Sequence, residues 1–311
     1  MAFYVAGAAI AGAGPSPKSA RGALAVLFFH AGVYIANDAV DALLDRTEAR
    51  RARDLVASGE VSSKSAGLMS GGMISAGTLV ALANGVLAAG TYLLAVICLM
   101  AYNFFGKCCP FPPVMDVIQG FGWGGLTVLG AENARFEPWP TVLMTLGVVV
   151  YITLINGFHG ALRDYRNDSA HHVRTTATFF LGEASAKRRT EPTPIYIAYG
   201  LMLHAAQAVL VISAVMLAGQ AIPRAVIVAA ALTELVTMSL FSVAVLRFAE
   251  NDRTWRLGIA DVVLGPAAML MVVWIRSGLL IYCVILIFYT TIWAFSKTLR
   301  SQVRRMIARG A

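Results

Sequence analysis

The segment from Asn37 to Asp45 carries the residues of this chain that are best suited to chemistry. It places carboxylates at Asp38, Asp41 and Asp45 beside the Asn37 amide, directly after a hydrophobic run. At about 100° per residue, the four side chains fall within one quadrant of a helix surface. Like charges on one stripe repel each other and need a counter-charge. Oxygen ligands in this pattern suit Mg²⁺, which commonly joins protein carboxylates to substrate phosphates.

A second acidic pair, Asp164 and Asp168, stands near the end of another hydrophobic segment. Residues four apart share one face of a helix, so these two carboxylates point the same way. Two acidic clusters at the ends of two apolar segments suggest one site for a magnesium-bound diphosphate. The remaining question is whether the elements that carry them bring the two clusters together.

The composition predicts a protein that lies in a lipid bilayer. Of the 311 residues, 58% are hydrophobic and only 14% are charged, and the mean hydropathy is +0.69. Soluble domains average about 45–50% apolar and about 25% charged residues. The net charge of +8 comes mostly from short loops between apolar segments, where it acts as a topology signal. We therefore expect no nucleic-acid partner.

Nine apolar segments are long enough to cross a bilayer as helices. They run approximately over residues 20–41, 67–89, 91–106, 112–132, 139–163, 194–218, 225–247, 257–275 and 278–296. A shorter apolar stretch, 2–14, precedes them and would rise about 21 Å as a helix, less than a hydrocarbon core of about 30 Å. The N-terminus has no basic region, so no signal peptide is predicted. The expected fold is a single all-α, polytopic membrane bundle over residues 1–311, with about nine transmembrane helices and this short extra segment.

The basic residues predict the orientation of the bundle. If the loop after residue 41 is cytoplasmic and sides alternate at each span, most basic residues lie on the cytoplasmic side. Of the 25 Lys and Arg, the opposite side receives only Lys18, Arg21, Arg135, Arg224 and Arg276. This bias follows the positive-inside rule and places both acidic clusters at the cytoplasmic face of an inner or plasma membrane. The cytoplasmic loops 42–66 and 164–193 directly follow the clusters and are expected to cap the site.

Several motifs together resemble the UbiA superfamily of intramembrane prenyltransferases, which includes terpene-cyclase relatives. The first is the NDxxDxxxD pattern from Asn37 to Asp45, and the second is the DxxxD pattern from Asp164 to Asp168. The further matches are Tyr102 with Lys107, Val173-Arg174-Thr175-Thr176, and Leu181-Gly182. The similarity covers roughly residues 20 to 250, and two spaced motifs with matching topology are far more specific than either alone.

The resemblance implies roles for these residues in a UbiA-type fold. One Mg²⁺ ion would be held by Asn37, Asp38, Asp41 and Asp45, and a second by Asp164 and Asp168; the five aspartates would be the catalytic carboxylates. Magnesium at these positions would neutralise the charge that grows on a leaving diphosphate. The residues expected to bind that diphosphate are Arg50, Arg53, Tyr102, Lys107, Arg163 and Arg174.

Helical periodicity predicts the wall of a pocket below the carboxylates. Tyr34 and His30 precede Asp41 by seven and eleven residues and share its stripe toward the membrane centre. Tyr34 could stabilise an allylic cation and His30 could accept a proton. The other wall residues expected are Gly157 and Gly160, which would leave room for an isoprenoid tail, and Asp116, which could bind or deprotonate an acceptor.

Two enzymatic functions fit these features. The first is magnesium-dependent transfer of a prenyl group from an isoprenoid diphosphate to a hydrophobic acceptor, with aromatic acceptors as the leading class. The second is terpene cyclisation, in which a double bond of the prenyl chain is itself the nucleophile and no second substrate is needed. A transporter is disfavoured, because transporter sites usually lie at the midplane of the membrane rather than at one face.

Overall fold

The computed structural model describes residues 1–12, 16–47, 51, 54–133, 136–182, 192–218, 224–246 and 269. Within these residues the elements are helical and there is no strand. The helices are α1 Ala2–Ile10, α2 Pro17–Asp45, α3 Ser63–Leu82, α4 Val86–Phe105, α5 Pro112–Glu132, α6 Pro138–Leu154, a π-helical turn Ile155–Gly160, α7 Ala161–Ala170, α8 Thr176–Leu181, α9 Pro194–Leu217 and α10 Arg224–Leu246.

Five of the described helical segments are long and apolar enough to cross a membrane. They are Pro17–Asp45, Ser63–Leu82, Val86–Phe105, Pro138–Ala170 and Pro194–Leu217. Helix α5 has 21 residues, but its glycines and polar side chains lower its hydropathy, and α10 contains a shorter apolar stretch over Ile227–Phe241. The predicted spans 257–275 and 278–296 lie outside the described residues apart from Met269. The all-helical membrane architecture is therefore confirmed, whereas the count of nine spans stays a prediction.

Local sequence signals explain where the long helices begin. Ser16, Ser62 and Thr193 each accept a hydrogen bond from the backbone N–H three residues ahead, which caps α2, α3 and α9. Proline opens α2, α5, α6 and α9, where its missing N–H costs nothing. Gly85 separates α3 from α4 at a φ of 127°, a conformation that favours glycine.

Large apolar side chains on the outer helices face away from the protein core. Leu68 and Leu79 on α3 and Val86, Leu94 and Ile97 on α4 are all exposed. In water such a surface would be unfavourable, whereas hydrocarbon solvates it as well as a protein interior does. The outer surface of these helices therefore suits contact with lipid.

Helix α1 is short and buried inside the bundle, where it packs mainly against α5 and α6. Its residues Ala6, Ala9 and Ile10 have almost no exposed surface. Two glycines allow the close approach: Gly7 of α1 lies against the backbone of Thr127, and Gly130 of α5 lies against the backbone of Tyr4 and Ala8. Both contacts involve the last turns of α5, so α1 occupies the half of the bundle near the C-terminal end of α5.

The contact between α1 and α5 predicts the effect of a single methyl group. A Cβ at position 130 would lie 2.8 Å from the amide nitrogen of Ala8 and closer still to the carbonyl oxygen of Tyr4. Because backbone atoms cannot rotate away, we expect Gly130→Ala to destabilise the fold by about 1–3 kcal/mol. Thermal unfolding in detergent measures this. The matched control is Gly90→Ala on α4, where nothing lies within 4 Å and a small stabilisation is expected; equal melting temperatures for the two variants would contradict the packing.

The order of the helices brings the polar ends of four elements to one end of the bundle. Neighbouring packed pairs include α2 with α4, α4 with α5, α5 with α6, and α7 with α8. Helix α2 ends at Asp45 and α4 ends just before Lys107, whereas α5 begins at Pro112. Since α6 runs back from the far end of α5, its continuation α7 returns Asp164 to the same end.

Candidate active site

A cavity of about 240 Å³ opens at the end of the bundle where α2, α4, α5 and α7 meet. Both acidic clusters line it: Asp41 and Asp45 from α2, and Asp164 and Asp168 from α7. The two sets are far apart in the sequence and are brought together only by the helix order described above. The spatial convergence on which the diphosphate prediction depends is therefore present in the fold.

Basic side chains are paired with three of the cavity carboxylates. Lys107 Nζ lies 2.6 Å from Asp41 Oδ1, and Arg51 donates to Asp45 Oδ1 at 2.8 Å. Arg163 donates to both carboxylate oxygens of its neighbour Asp164, with Nε 2.7 Å from Oδ1. Each pair joins a buried or half-buried carboxylate to a cation that is more exposed. Because these cations are the more exposed partners, an entering anion can attract them away from the carboxylates.

Tyr102 lies close to carboxylates of both acidic clusters. It lines the cavity from the last turn of α4, and its hydroxyl is within electrostatic range of Asp41, Asp116, Asp164 and Asp168. Its neighbour on the next turn, Lys107, brings a positive charge to the same place. The phenol is therefore positioned to donate a hydrogen bond to an anion held between the two clusters.

A π-helical turn separates α6 from α7, directly before the second acidic cluster. Such turns leave carbonyl groups without their usual partners and often occur at functional sites. Here the hydroxyl of Tyr196 on α9 donates to the carbonyl oxygens of Gly157 and Phe158, at 2.8 and 3.2 Å. The buried Tyr196 ring also stacks on Phe158, with ring centroids 4.4 Å apart. This support fixes the turn and thereby the direction in which α7 carries Asp164.

Asp116 differs from the other cavity carboxylates because no described Lys or Arg forms an ion pair with it. It is buried in the first turns of α5, and its Oδ2 accepts a hydrogen bond from Thr176 at the start of α8. A Cβ on Gly157 would lie 2.6 Å from the same oxygen. Gly157 therefore makes room for the Asp116 carboxylate, and its predicted role beside an isoprenoid tail stays a prediction.

The inner end of the cavity is apolar and aromatic. Its walls there are Val33 and Tyr34 from α2, Leu99 from α4 and Trp123 from α5. Trp123 is buried, while Tyr34 is about half exposed at 53%. The cavity thus combines a charged outer end with an apolar inner end, which suits a ligand with a polar head and a hydrocarbon tail.

The structure brings most of the predicted site residues to this cavity. Those that line it are Tyr34, Asn37, Asp41, Asp45, Tyr102, Lys107, Asp116, Gly160, Arg163, Asp164, Asp168 and Arg174. Asp38, His30 and Gly157 do not form part of its surface; His30 lies behind it, with its ring 5.1 Å from that of Trp123. Arg50 and Arg53 lie outside the described residues. The roles assigned to all these residues stay predictions.

Seven polar residues of the lining were not assigned to the site from the sequence. They are Asn103, Gln119, Asn156, Asn167, Thr175, Thr176 and Arg51. Gln119 and Asn156 could have been found, because polar side chains within apolar segments are costly and point to function. Arg51 has no sequence signal of its own, because the loop after α2 no longer follows helical periodicity.

The donor atoms in the cavity fit Mg²⁺. Amide and carboxylate oxygens are supplied by Asn37, Asp41, Asp45, Asp164 and Asp168. Among the described residues no group of three or more acidic, His or Cys side chains is close enough to hold one metal ion. Magnesium does not need such a group, because it commonly takes one or two carboxylates and completes its coordination with water and substrate phosphates.

Comparison with solved structures shows the same fold in other proteins. An apo UbiA homolog from Aeropyrum pernix K1 has a TM-score of 0.64 and 17% identity, over 86% of this chain and 94% of that chain. A digeranylgeranylglyceryl phosphate synthase has a TM-score of 0.61 and 16% identity, over 88% and 91%. A UbiA homolog from Archaeoglobus fulgidus bound to GPP and Mg²⁺ has a TM-score of 0.55 and 16% identity, over 88% and 95%.

Sequence comparison gives a more specific answer. No curated protein matches the chain. The model of the UbiA prenyltransferase family, in contrast, matches residues 1–257. This match covers all of the elements that form the cavity. Together with the two acidic clusters and the helical fold around them, it shows that the chain belongs to the UbiA prenyltransferase family.

Proposed function

We propose that this protein is a Mg²⁺-dependent prenyltransferase that moves an isoprenoid group from an allylic diphosphate to a second, hydrophobic substrate. Aromatic compounds are the first acceptor class to test. The observation that carries the proposal is the cavity itself, where two carboxylate clusters and four basic residues surround one end and aromatic side chains form the other. A related structure, at 16% identity, is described as bound to GPP and Mg²⁺, which supports the same ligands here.

The charged end of the cavity would bind the diphosphate head. When Mg²⁺ is bound by Asn37, Asp41 and Asp45 on one side and Asp164 and Asp168 on the other, it supplies positive charge for the leaving diphosphate. The residues that would contact the diphosphate directly are Arg51, Tyr102, Lys107, Arg163 and Arg174. Arginine suits bidentate phosphate contacts, and lysine acts as a point charge. Lys107 and Arg51 would exchange their carboxylate partners for phosphate oxygens.

The apolar end would hold the prenyl chain and the acceptor. As the bond between C1 and the diphosphate oxygen breaks, an allylic cation develops beside the charged end of the cavity. The acceptor then forms its new bond to C1 and loses a proton. Asp116 is the carboxylate placed to take that proton. It lines the cavity, and no described Lys or Arg forms an ion pair with it.

The bundle is integral to the membrane, and we infer that its active end faces the cytoplasm. The inference rests on the excess of Lys and Arg in the loops at this end, where the positive-inside rule expects them. The substrate head would therefore enter from the cytoplasmic side, while the tail stays in the membrane interior.

The proposal is tested by supplying donors with and without acceptors. Purified protein is incubated with Mg²⁺ and allylic diphosphates of increasing length, and products are analysed by mass spectrometry. We expect the donor to persist alone and to be consumed when phenolic or quinone-precursor acceptors are added. A cyclic hydrocarbon or terpene alcohol formed without an acceptor would instead establish a cyclase. The metal requirement is tested separately: EDTA should abolish activity, and added Mg²⁺ should restore it.

A further inference from the structure

The inner end of the cavity is closed by a cluster of aromatic side chains centred on Trp123. The Trp123 ring lies on the cavity surface and packs against four other rings behind and beside it. Its centroid distances are 6.4 Å to Phe3, 5.6 Å to Phe29, 5.1 Å to His30 and 6.0 Å to Tyr34. We call Trp123 with these four residues the aromatic floor.

Helix α1 supports the aromatic floor from the side opposite the cavity. Phe3 lies near its N-terminal end and contacts both Trp123 and Tyr151, the latter at a centroid distance of 6.0 Å. The rest of α1 is buried and packs mainly against α5 and α6. The space below the floor is therefore filled by a helix that is held through backbone contacts at Gly7 and Gly130. A ligand cannot extend along the bundle axis without displacing protein.

The helices give the depth of the cavity above this floor. Trp123 is seven residues from Asp116 on α5, Tyr34 is seven residues from Asp41 on α2, and Leu99 is eight residues from Lys107. At 1.5 Å per residue these separations correspond to about 10–12 Å along the helix axes. This is the distance available between the level of the charged groups and the floor.

That depth limits the length of an extended prenyl chain. Three backbone bonds of an extended polypeptide span about 3.3–3.6 Å, so the four bonds of one isoprene unit span about 5 Å. The cavity therefore accommodates two units in line. A third unit would meet the Trp123 ring, and a longer chain would have to fold back or leave between helices.

We propose that the aromatic floor sets the length of the donor, and that the preferred donor carries two isoprene units. This inference rests on the proposed function, since it names the donor of the same site. Trp123 acts as a specificity-determining residue: its ring contacts the end of a two-unit chain and excludes a third unit. The polar contacts to the diphosphate are the same for every donor, so the discrimination comes from the apolar end alone.

The test measures donor binding and does not depend on knowing the acceptor. Binding of geranyl, farnesyl and geranylgeranyl diphosphate, each with Mg²⁺, is measured by calorimetry on the full chain in detergent. We expect geranyl diphosphate to bind wild-type protein most tightly. In Trp123→Ala the affinity for farnesyl relative to geranyl diphosphate should rise about tenfold or more, the effect of burying one further apolar group of leucine size.

Two further variants keep the result interpretable. Trp139→Ala is the matched control, because it makes the same change at a tryptophan that is 71% exposed, and it should keep the wild-type order of donors. Phe3→Ala removes the support behind Trp123 without altering the cavity surface, and should shift the preference in the same direction by a smaller factor. If Trp123→Ala does not fold, Phe3→Ala tests whether the aromatic floor sets donor length.

The outcomes separate this inference from the proposed function. If wild-type protein binds donors of three or four isoprene units as tightly as geranyl diphosphate, the aromatic floor does not set donor length. The same conclusion follows if folded Trp123→Ala and Phe3→Ala variants keep the wild-type order of donor affinities. In both cases the prenyltransferase proposal would stand. If no allylic diphosphate of any length binds wild-type protein, the proposed function fails and the inference fails with it.

Discussion

Asp164→Ala is expected to lower turnover by about a hundredfold to a thousandfold while the protein keeps its fold. The carboxylate lines the cavity beside Tyr102, and under the proposed function its removal would take away a ligand for Mg²⁺ at the developing negative charge. Losing one preorganised electrostatic group at such a position typically has an effect of this size. Stability should change little, because Asp164 and Asp168 are like charges one helical turn apart and removing one relieves their repulsion.

The measurement compares turnover and thermal unfolding of Asp164→Ala with those of Glu137→Ala. Glu137 precedes α6, the helix whose continuation carries Asp164, and lies at the opposite end of that helix. Its removal is a change of the same chemistry far from the cavity and should leave turnover near the wild-type value. An Asp164→Ala variant that retains more than a tenth of wild-type turnover would refute the second half of the predicted magnesium site.

The spacing within α2 shows how much of the site could be predicted from the sequence. Helical periodicity places Asn37, Asp41 and Asp45 on one stripe, and all three line the cavity. Asp38 belongs to the same sequence motif but stands at the edge of the stripe, and its side chain is not part of the cavity surface. Helical periodicity predicts which face of a helix turns toward a cavity. How many residues of that face line the cavity depends on how the neighbouring helices pack.

Helix boundaries were predictable where turn residues interrupt the apolar pattern. The prediction of 112–132 agrees with Pro112–Glu132, and that of 194–218 with Pro194–Leu217, because proline marks each start. The boundary between α3 and α4 was placed too late, at 89–91, although α4 begins at Val86. Residues around this turn are nearly all apolar, and only Asn84 and Gly85 signal it.

Features that depend on tertiary contacts could not be predicted. The π-helical turn over Ile155–Gly160 is stabilised by the Tyr196 hydroxyl from α9, a partner some forty residues away that no local pattern reveals. The burial of α1 is of the same kind: its length and apolar composition were visible, but its position follows from close packing at Gly7 of α1 and Gly130 of α5. The close contact of Gly157 with Asp116 is also tertiary, and no local sequence pattern indicates it.

Asp116→Asn is expected to lower turnover by about a hundredfold to ten-thousandfold with little change in donor affinity. The substitution preserves the shape of the side chain but removes its capacity to accept a proton, and general-base catalysis typically contributes a factor of this size. Donor affinity should persist, because the cations proposed to bind the diphosphate pair with Asp41, Asp45 and Asp164 and not with Asp116. The combination of lost turnover and retained binding distinguishes a proton acceptor from a residue that only holds the donor.

The experiment measures donor binding by calorimetry and turnover with a productive acceptor, for Asp116→Asn and two companions. Thr176→Val keeps the carboxylate but removes its hydrogen bond, so a loss of about tenfold is expected, the size of one hydrogen bond to a charged group. Glu234→Gln makes the same carboxylate-to-amide change at a buried position on α10, and it should leave turnover near the wild-type value. If Asp116→Asn weakens donor binding as much as it slows turnover, Asp116 acts on the donor, and the acceptor must lose its proton to another group.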